Sequence, residues 1–159
     1  MSVVLLRHVA AGDRSAWSGD DRHRPADDRG RAQATALVDR LTALGGIVAV
    51  HSSPYRRCLD SVEPLATAVG VPVETVDELA EGSPPDVVER LLRAAAREAA
   101  ATDGVVVLCS HGDVIGDVVL RWARAGVLGG AEPRWPKASA WVVDDLLDRP
   151  QVRFLPRPG

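Results

Sequence analysis

The chain has 159 residues, and its 22 acidic residues against 19 basic ones give a formal net charge of −3. This balance argues against nucleic acid or an anionic membrane as a partner, because binding either one requires a strongly basic patch. The length fits one domain spanning residues 1–159, with a core large enough to fold without disulfides. Cys58 and Cys109 lack the paired spacing of a metal or redox motif, so we expect buried free thiols in a reducing compartment.

The amino terminus lacks the basic flank and the small-residue cleavage site of a signal peptide. No apolar run approaches the ~20 residues that a membrane-spanning helix needs. The expected location is therefore the cytoplasm.

The first apolar run, Val3 to Leu6, is short and continuous, which is typical of a parallel strand buried on both faces. Arg7 and His8 fall at its carboxyl end. Residues 9–28 show neither a helical nor an alternating period, which predicts a long loop. Loops of that length inside compact domains usually carry function.

Helices and strands alternate along the rest of the chain. Helices are predicted from Arg29, after Ser52-Ser53-Pro54 (with a kink or a division at Pro64), from Pro85, and over 113–125. Strands are predicted over 47–50, 105–109, 140–143 and 152–155, with a short extended piece over 71–76. This alternation predicts an α/β fold, a three-layer α/β/α sandwich with a mostly parallel central sheet.

Polar residues follow three of the predicted strands, at the sheet edge where such folds bind ligands. They are, in chain order, Arg7-His8, Ser52-Ser53 with Arg56-Arg57, and His111. Guanidinium groups pair bidentately with phosphate oxygens, and helix amino termini add positive potential. The sequence therefore predicts a pocket for a phosphate-like dianion.

These motifs resemble those of the histidine phosphatase superfamily, which also includes the phosphoglycerate mutases. Arg7-His8 matches the Arg-His-Gly signature that follows the first strand, with Val9 where the family usually has glycine. The stretch "SSPYRRC" resembles the family's Ser-Pro-x-x-Arg helix start and places Arg57 at the arginine position, and "LCSHGD" resembles the second histidine motif. The segment "WSGDDRHRPADDRGRAQA" is similar to the short bacterial branch that includes SixA-type phosphohistidine phosphatases and phosphatase domains attached to Nudix hydrolases.

The resemblance implies a phosphoglycerate mutase-like fold and a phosphatase that needs no metal and no cofactor. His8 would be the nucleophile and would form a covalent phosphohistidine, which water then hydrolyses. The phosphoryl oxygens would be held by Arg7, Arg57 and His111.

The leaving group also needs a proton donor, and "DELAEG" resembles the acid segment of the family. This implies Glu81 as the general acid and later base, with Glu78 as the second choice. Arg24, in the loop, is a candidate substrate-binding residue, or it shapes the loop with Asp20 and Asp21. The expected partner is a small phosphorylated substrate or a protein that bears phosphohistidine.

The sequence leaves several alternatives open. A metal hydrolase would use His8, His111 and either Asp20 or Asp21 as ligands, but this leaves the neighbouring arginines unexplained. The other two alternatives are a mutase-like phosphoryl transferase and a non-catalytic phosphate-binding regulatory module. Specificity should lie in residues 9–28 and in "EGSPP", and a protein phosphohistidine, a sugar phosphate and a nucleotide all stay possible.

Three further side chains, at Arg56, His23 and His51, are expected to have structural or solvent-exposed roles and not functional ones. Arg56 is a second candidate for the phosphate-binding arginine, although a solvent-exposed helix start is the favoured interpretation. His23 and His51 are expected to be structural or to face solvent. The sequence does not predict an oligomeric state.

Overall fold

The computed structural model describes residues 1–159 as six strands and four helices. The strands are β1 (Ser2–Arg7), β2 (Ile47–Ser52), β3 (Val73–Thr75), β4 (Val105–Ser110), β5 (Ala140–Asp144) and β6 (Gln151–Leu155). The helices are α1 (Asp28–Thr42), α2 (Arg56–Val69), α3 (Pro85–Thr102) and α4 (Gly112–Arg124). None of these helices combines the length and the apolar composition required to cross a membrane.

The six strands form one sheet in the order β3-β2-β4-β1-β5-β6. β1, β2, β3 and β4 pair in parallel, whereas β5 is antiparallel to both β1 and β6. β1 and β4 lie at the centre in register, with Leu6 opposite Cys109. The predicted mostly parallel sheet is confirmed, and its central strands end together at the edge where the polar residues begin.

Successive side chains of a strand point to opposite faces of the sheet. The apolar strands therefore present apolar side chains on both faces, and helices cover both. Val4 and Leu6 of β1 pack in a cluster with residues of α1 and α2, including Leu37. Val3 and Leu5 pack in a second cluster with residues of α3 and α4. Each fully buried leucine contributes roughly 1.5–3 kcal/mol through its removal from water. The three-layer α/β/α architecture is therefore as predicted.

The long loop over residues 9–28 has more local structure than its sequence indicated. It contains two 3-10 turns, Arg14–Ala16 and Asp21–His23, which are capped by the carboxylates of Asp13 and Asp20. Neither turn is long enough to produce a period that sequence can show.

Two helix predictions differ slightly from the structure. α1 begins one residue before the predicted Arg29, because the Asp27 carboxylate caps it by accepting a hydrogen bond of 2.7 Å from the Gly30 N–H. α2 runs through Pro64 without division. Its apolar face, with Val62 and Leu65 fully buried, holds the helix against the sheet on both sides of the proline.

The segment between α4 and β5 returns to the carboxyl end of β1. The Arg7 N–H donates to the Ser139 carbonyl at 2.9 Å, and the Ala138 N–H donates to the His8 carbonyl at 3.0 Å. Ala138 is fully buried and has a φ of +63°, in the left-handed region that non-glycine residues rarely adopt. The backbone is therefore sharply turned where it passes beside His8.

Candidate active site

The site forms where β1, β2 and β4 end and α2 and α4 begin. His8 follows β1, Ser53 follows β2, and His111 follows β4. Backbone hydrogen bonds join these ends, because the His8 N–H donates to Ser110 and the Ser53 N–H to Cys109, both at 3.0 Å. The predicted convergence of the two histidine motifs is therefore present in the structure.

His8 is 5% exposed and has one defined hydrogen bond, from Nδ1 to the Val9 carbonyl at 2.8 Å. Because a carbonyl can only accept, Nδ1 carries the proton. The pKa of His8 is lowered to about 2, mainly by burial and in smaller part by the nearby charges of His111, Arg57 and Arg7, with the hydrogen bond to Val9 acting in the opposite direction. The ring is therefore neutral, and Nε2 keeps a free lone pair.

His111 is 1% exposed and lies beside His8, with ring centroids 5.4 Å apart. Its Nε2 is 2.8 Å from the Ser53 hydroxyl oxygen, which also accepts a bond from the Tyr55 N–H at 3.3 Å. The hydroxyl proton is thus available to Nε2, which assigns the ring proton of a neutral His111 to Nδ1. That Nδ1 is buried without a hydrogen-bond partner and lies 3.5 Å from the Glu81 carboxylate.

Arg57 is completely buried and points into the site. Its Nη1 donates to the Asp21 carbonyl at 2.9 Å and its Nη2 to the Glu81 carboxylate at 2.6 Å, and its guanidinium lies 4.9 Å from the Tyr55 ring centroid. Arg56 instead pairs with acidic side chains of its own helix, including Asp60. The structure therefore brings Arg57, and not Arg56, to the two histidines.

Arg7 extends from the end of β1 along the first turn of α4. Its Nη1 donates to the Trp135 carbonyl at 2.8 Å. An added Cβ at Gly112 would lie 2.7 Å from the Arg7 Cζ, and one at Gly116 would lie 2.8 Å from the Trp135 ring. The two glycines of α4 therefore leave room for the guanidinium and the indole.

The four residues His8, Arg7, Arg57 and His111 form what we call the strand-end cluster. It contains three buried nitrogen donors without a hydrogen-bond partner, Arg7 Nε, Arg57 Nε and His111 Nδ1. Buried polar groups are nearly always paired, so unpaired donors that gather around one neutral histidine require an explanation. An oxyanion with several acceptor oxygens would satisfy them.

Glu81 reaches the strand-end cluster from the loop before α3. Its Oε1 accepts hydrogen bonds from Arg57 at 2.6 Å and from Arg14 at 2.7 Å. Glu78 is exposed and does not line the cleft in front of His8. The geometry thus favours Glu81 over Glu78 as the carboxyl group of the site.

Arg24 is 6% exposed and binds the loop that contains it. It pairs with Asp21 at 2.8 Å and donates to the Ala11 carbonyl at 2.5 Å. It also lines the cleft in front of His8. Of the two roles that the sequence allows for Arg24, contact with substrate and shaping of the loop, these contacts support the second directly.

A cleft of about 630 Å³ opens in front of the strand-end cluster. Its rim is formed by Arg14, Arg24, Glu81, Trp135 and Lys137. The sequence patterns did not identify Arg14, Trp135 or Lys137 as site residues. Of these three residues, only Lys137 is distinctive in the sequence, because it is the single lysine of the chain.

The alternative metal ligands and the other two histidines lie apart from the strand-end cluster or have other partners. No group of three His, Cys, Asp or Glu side chains is close enough to hold a metal ion, and Asp21 engages Arg57 and Arg24 instead of the two histidines. His23 is exposed, and His51 lies between Glu74 and Glu98 on another part of the surface.

Val9 and the cysteines lie behind the strand-end cluster. Val9 is fully buried in the core beside α1 and α2, and its N–H donates to the Ser61 hydroxyl at 2.9 Å. Its side chain therefore does not enter the cleft. Cys58 and Cys109 are free and buried, as predicted, and the Cys58 sulfur lies 3.5 Å from His111 Nε2.

The protein is thus an α/β protein with a neutral histidine among unpaired donors at the carboxyl edge of a mostly parallel sheet, an arrangement suited to an oxyanion. The family model of the histidine phosphatase superfamily (branch 1) matches residues 3–84, and the chain belongs to this superfamily. The matched segment includes His8, Arg57 and Glu81, whereas His111 lies beyond it.

Known proteins similar to this chain include a longer bacterial phosphatase and several solved structures. The chain is 34% identical over 148 residues to an 8-oxo-(d)GTP phosphatase of Mycolicibacterium smegmatis. The matched segment covers 89% of this chain and 44% of the relative. The chain thus spans less than half the length of that protein. The activity named for that relative belongs to a longer protein, and for this chain the family match establishes the superfamily.

Solved structures share the fold along nearly the whole chain. The protein histidine phosphatase SixA in complex with tungstate matches with a TM-score of 0.73 and 22% identity, over 97% of this chain and 94% of that one. A structure described as a SixA phosphohistidine phosphatase from Agrobacterium tumefaciens matches with a TM-score of 0.74 and 23% identity, over 98% and 97%. The predicted histidine phosphatase fold is confirmed.

Proposed function

We propose that the protein is a metal-independent phosphatase that works through a covalent phosphohistidine on His8. The observation that carries this proposal is the buried, neutral His8 with its free Nε2 among three unpartnered donors. A nucleophile needs the free lone pair, and the donors fit the charge that spreads over the phosphoryl oxygens in the transition state. The proposed catalytic unit is residues 1–159, acting as one domain.

In the first step, His8 Nε2 attacks phosphorus while the bond from phosphorus to the leaving atom breaks. The electron pair of that bond stays on the leaving group. Arg7, Arg57 and His111 donate hydrogen bonds to the three equatorial oxygens, which stabilises them where negative charge concentrates. The Nδ1–H bond to Val9 stabilises the imidazole ring as it becomes positively charged.

In the second step, water attacks the phosphorus of phosphohistidine from the side that the leaving group has vacated. The P–N bond breaks, and its electron pair returns to His8 Nε2. The water proton passes to a carboxylate, for which Glu81 is the proposed acceptor because it is the carboxyl group nearest to His111 and Arg57. Inorganic phosphate then leaves through the cleft.

The position of Glu81 bears on which leaving groups the site favours. Its Oε1 already accepts bonds from two arginines. A guanidinium group can only donate hydrogen bonds, so acid catalysis from Oε1 requires that both arginine contacts break when substrate enters. Leaving groups that take no proton from Glu81, such as an imidazole whose other ring nitrogen already carries a proton, or a phosphate, therefore suit this arrangement better than an alcohol.

Phosphohistidine is the first candidate substrate class, since imidazole is such a leaving group and the fold is that of the SixA structures. A nucleotide is the second candidate. It is favoured by the 8-oxo-(d)GTP phosphatase relative and by a cleft that combines charged side chains with the Trp135 indole on its wall. A mutase that retains a bisphosphate and a module that binds phosphate without turnover remain the alternatives.

The test is phosphate release by the wild-type protein in the presence of EDTA. The substrates are a phosphohistidine peptide, a nucleoside diphosphate, 3-phosphoglycerate and an aryl phosphate. We expect turnover that EDTA does not reduce, together with a phosphorylated His8 peptide in acid-free quenched samples analysed by mass spectrometry. Activity that disappears with EDTA, or a phosphoryl group on another residue, would overturn the proposal.

A further inference from the structure

Lys137 is the only lysine of the chain, and it lines the same cleft as Arg7 and His8. It is half-buried, and no carboxylate lies within ion-pairing distance of its ammonium group. A charged group in this position gives up part of its hydration without gaining a counter-ion. Its ammonium group thus has no direct ion-pair partner inside the proposed substrate cleft.

The other cations of the rim are already paired. Arg14 bonds to Glu81 at 2.7 Å, and Arg24 bonds to Asp21 at 2.8 Å. Only Lys137 and Arg7 line the cleft without such a partner. Burial lowers the pKa of Lys137, and the charge of Arg7 lowers it further. Two like charges next to each other favour an anion that binds both.

The backbone around Lys137 fixes its position beside His8. The next residue, Ala138, donates its N–H to the His8 carbonyl at 3.0 Å and has the left-handed φ of +63°. The Ser139 hydroxyl donates to the Pro136 carbonyl at 2.6 Å, which closes the turn around Lys137. A left-handed non-glycine residue is strained and persists where the surroundings enforce it, frequently at functional sites.

We propose that Lys137 binds a second anionic group of the substrate, next to the phosphoryl group that His8 attacks. This inference rests on the proposed function and narrows its substrates to those with two adjacent anionic groups, such as a diphosphate or a phosphate beside a carboxylate. The transferred phosphoryl group has three equatorial oxygens, and the strand-end cluster supplies three unpartnered donors for them. Lys137 is an additional cation that this group does not need.

The chemistry of a diphosphate agrees with the arrangement of the cleft. When His8 Nε2 bonds to the terminal phosphorus, the bond to the bridging oxygen breaks and its electron pair remains on the leaving phosphate. The negative charge of that phosphate increases, and the Lys137 ammonium would stabilise it. No proton is needed from Glu81, whose Oε1 is bound to Arg14 and Arg57.

The inference is tested with substrates that differ only in the second anion. The specificity ratio is kcat/KM for a nucleoside diphosphate divided by kcat/KM for the corresponding nucleoside monophosphate. A second specificity ratio is kcat/KM for 3-phosphoglycerate divided by kcat/KM for glycerol phosphate. It tests a carboxylate as the second anion. Lys137→Met removes the charge at similar length, and Lys137→Arg retains it.

We expect Lys137→Met to lower at least one of the two ratios by about 10–100-fold, because a hydrogen bond to a charged group is worth about 1.5–3 kcal/mol. Lys137→Arg should restore most of the loss. The ratio that falls identifies phosphate or carboxylate as the second anion. If neither ratio changes by more than about twofold, the inference is wrong even though the phosphatase is active.

A binding measurement separates this result from failure of the proposed function. Calorimetry with wild-type protein and Lys137→Met gives the affinities of pyrophosphate and of orthophosphate without any turnover. We expect the variant to lose affinity for pyrophosphate about tenfold more than for orthophosphate. Equal losses of affinity for pyrophosphate and orthophosphate would contradict binding of a second anionic group by Lys137. If the affinities differ as expected but the protein shows no turnover, only the proposed catalysis is contradicted.

Discussion

The strand-end cluster and the rim of the cleft are constructed in opposite ways. His8, His111 and Arg57 lie at the ends of regular elements and are at most 5% exposed. Glu81 and Arg14 come from loops, and their side chains are 28% and 61% exposed. The cluster has unpaired donors in fixed positions, whereas most rim charges pair with one another. In the proposed mechanism the nucleophile and the phosphoryl-binding groups therefore lie at the ends of regular elements, whereas Glu81 and the groups that would contact the rest of the substrate come from loops.

The strongest test of the cluster is removal of its nucleophile. His8→Ala should lower kcat/KM by at least about 10³-fold on every substrate, since loss of a nucleophile removes the covalent route entirely. His23→Ala, at an exposed histidine, should keep wild-type activity. Phosphate release under identical conditions provides the measurement. Substantial turnover by His8→Ala would assign the chemistry to another group.

The two neighbouring arginines of α2 allow a buried side chain of the cluster to be compared with one nearer the surface. Arg57→Met should lower kcat/KM by about 10²–10³-fold, because it removes a donor to the transition-state oxygens. Arg56→Met should leave kcat/KM within about twofold and cost about 1 kcal/mol of stability through the loss of its partly exposed ion pairs with Asp60 and Glu63. Thermal denaturation of both variants checks that each is folded. Equal losses of activity would mean that the burial of Arg57 does not determine its role.

Glu81 connects the rim to the cluster, so its effect should depend on the leaving group. Glu81→Gln should lower kcat/KM by about 10²-fold for an alkyl phosphate, whose alcohol needs a proton, and by less than tenfold for a phosphoramidate or a diphosphate. Glu78→Gln serves as the matched control and should change neither. Uniform loss across all leaving groups would indicate that Glu81 acts only by holding Arg57 and Arg14.

The smallest predicted effect concerns stability at acidic pH. The pKa of His8 is about 2 in the folded protein and about 6.5 when unfolded, so below pH 6.5 the unfolded chain binds a proton that the folded protein does not. The free energy of unfolding should therefore fall by up to about 1.4 kcal/mol per pH unit as pH decreases below 6.5. The contribution is absent above this pH.

His8→Asn keeps a donor toward the Val9 carbonyl and removes the titration. Urea denaturation of this variant between pH 7 and pH 5 should give a flatter dependence of stability on pH than in the wild type. His23→Asn is the control and should follow the wild-type curve. Parallel curves for His8→Asn and the wild type would show that His8 does not resist protonation in the folded state.

Sequence patterns predicted the cluster well and the rim poorly, for a physical reason. Apolar strands such as Val3 to Leu6 and Val105 to Cys109 have clear patterns, and in a parallel sheet their ends must meet at one edge. The positions of Arg57 and His111 at that edge therefore follow from the strand patterns alone. The family resemblance then supplied their expected roles and indicated Glu81.

Lys137 and Trp135 lie far along the chain from His8, in a segment without helical or strand periodicity. Their approach depends on a left-handed turn at Ala138 and on two backbone hydrogen bonds to Arg7 and His8. An alanine does not signal a left-handed conformation, because glycine or asparagine is usual there. Long-range backbone contacts of this kind leave no local pattern, so the sequence could not indicate these rim residues.

The absence of a side chain at Gly112 has a consequence for engineering this protein. Replacing helix glycines with alanine is a common route to higher thermal stability, worth up to about 1 kcal/mol at a suitable helical position. At Gly112 the new methyl group would lie 2.7 Å from the Arg7 guanidinium carbon and would displace it. A stability-guided design could therefore yield a chain that melts later and keeps every reactive group, yet no longer aligns them.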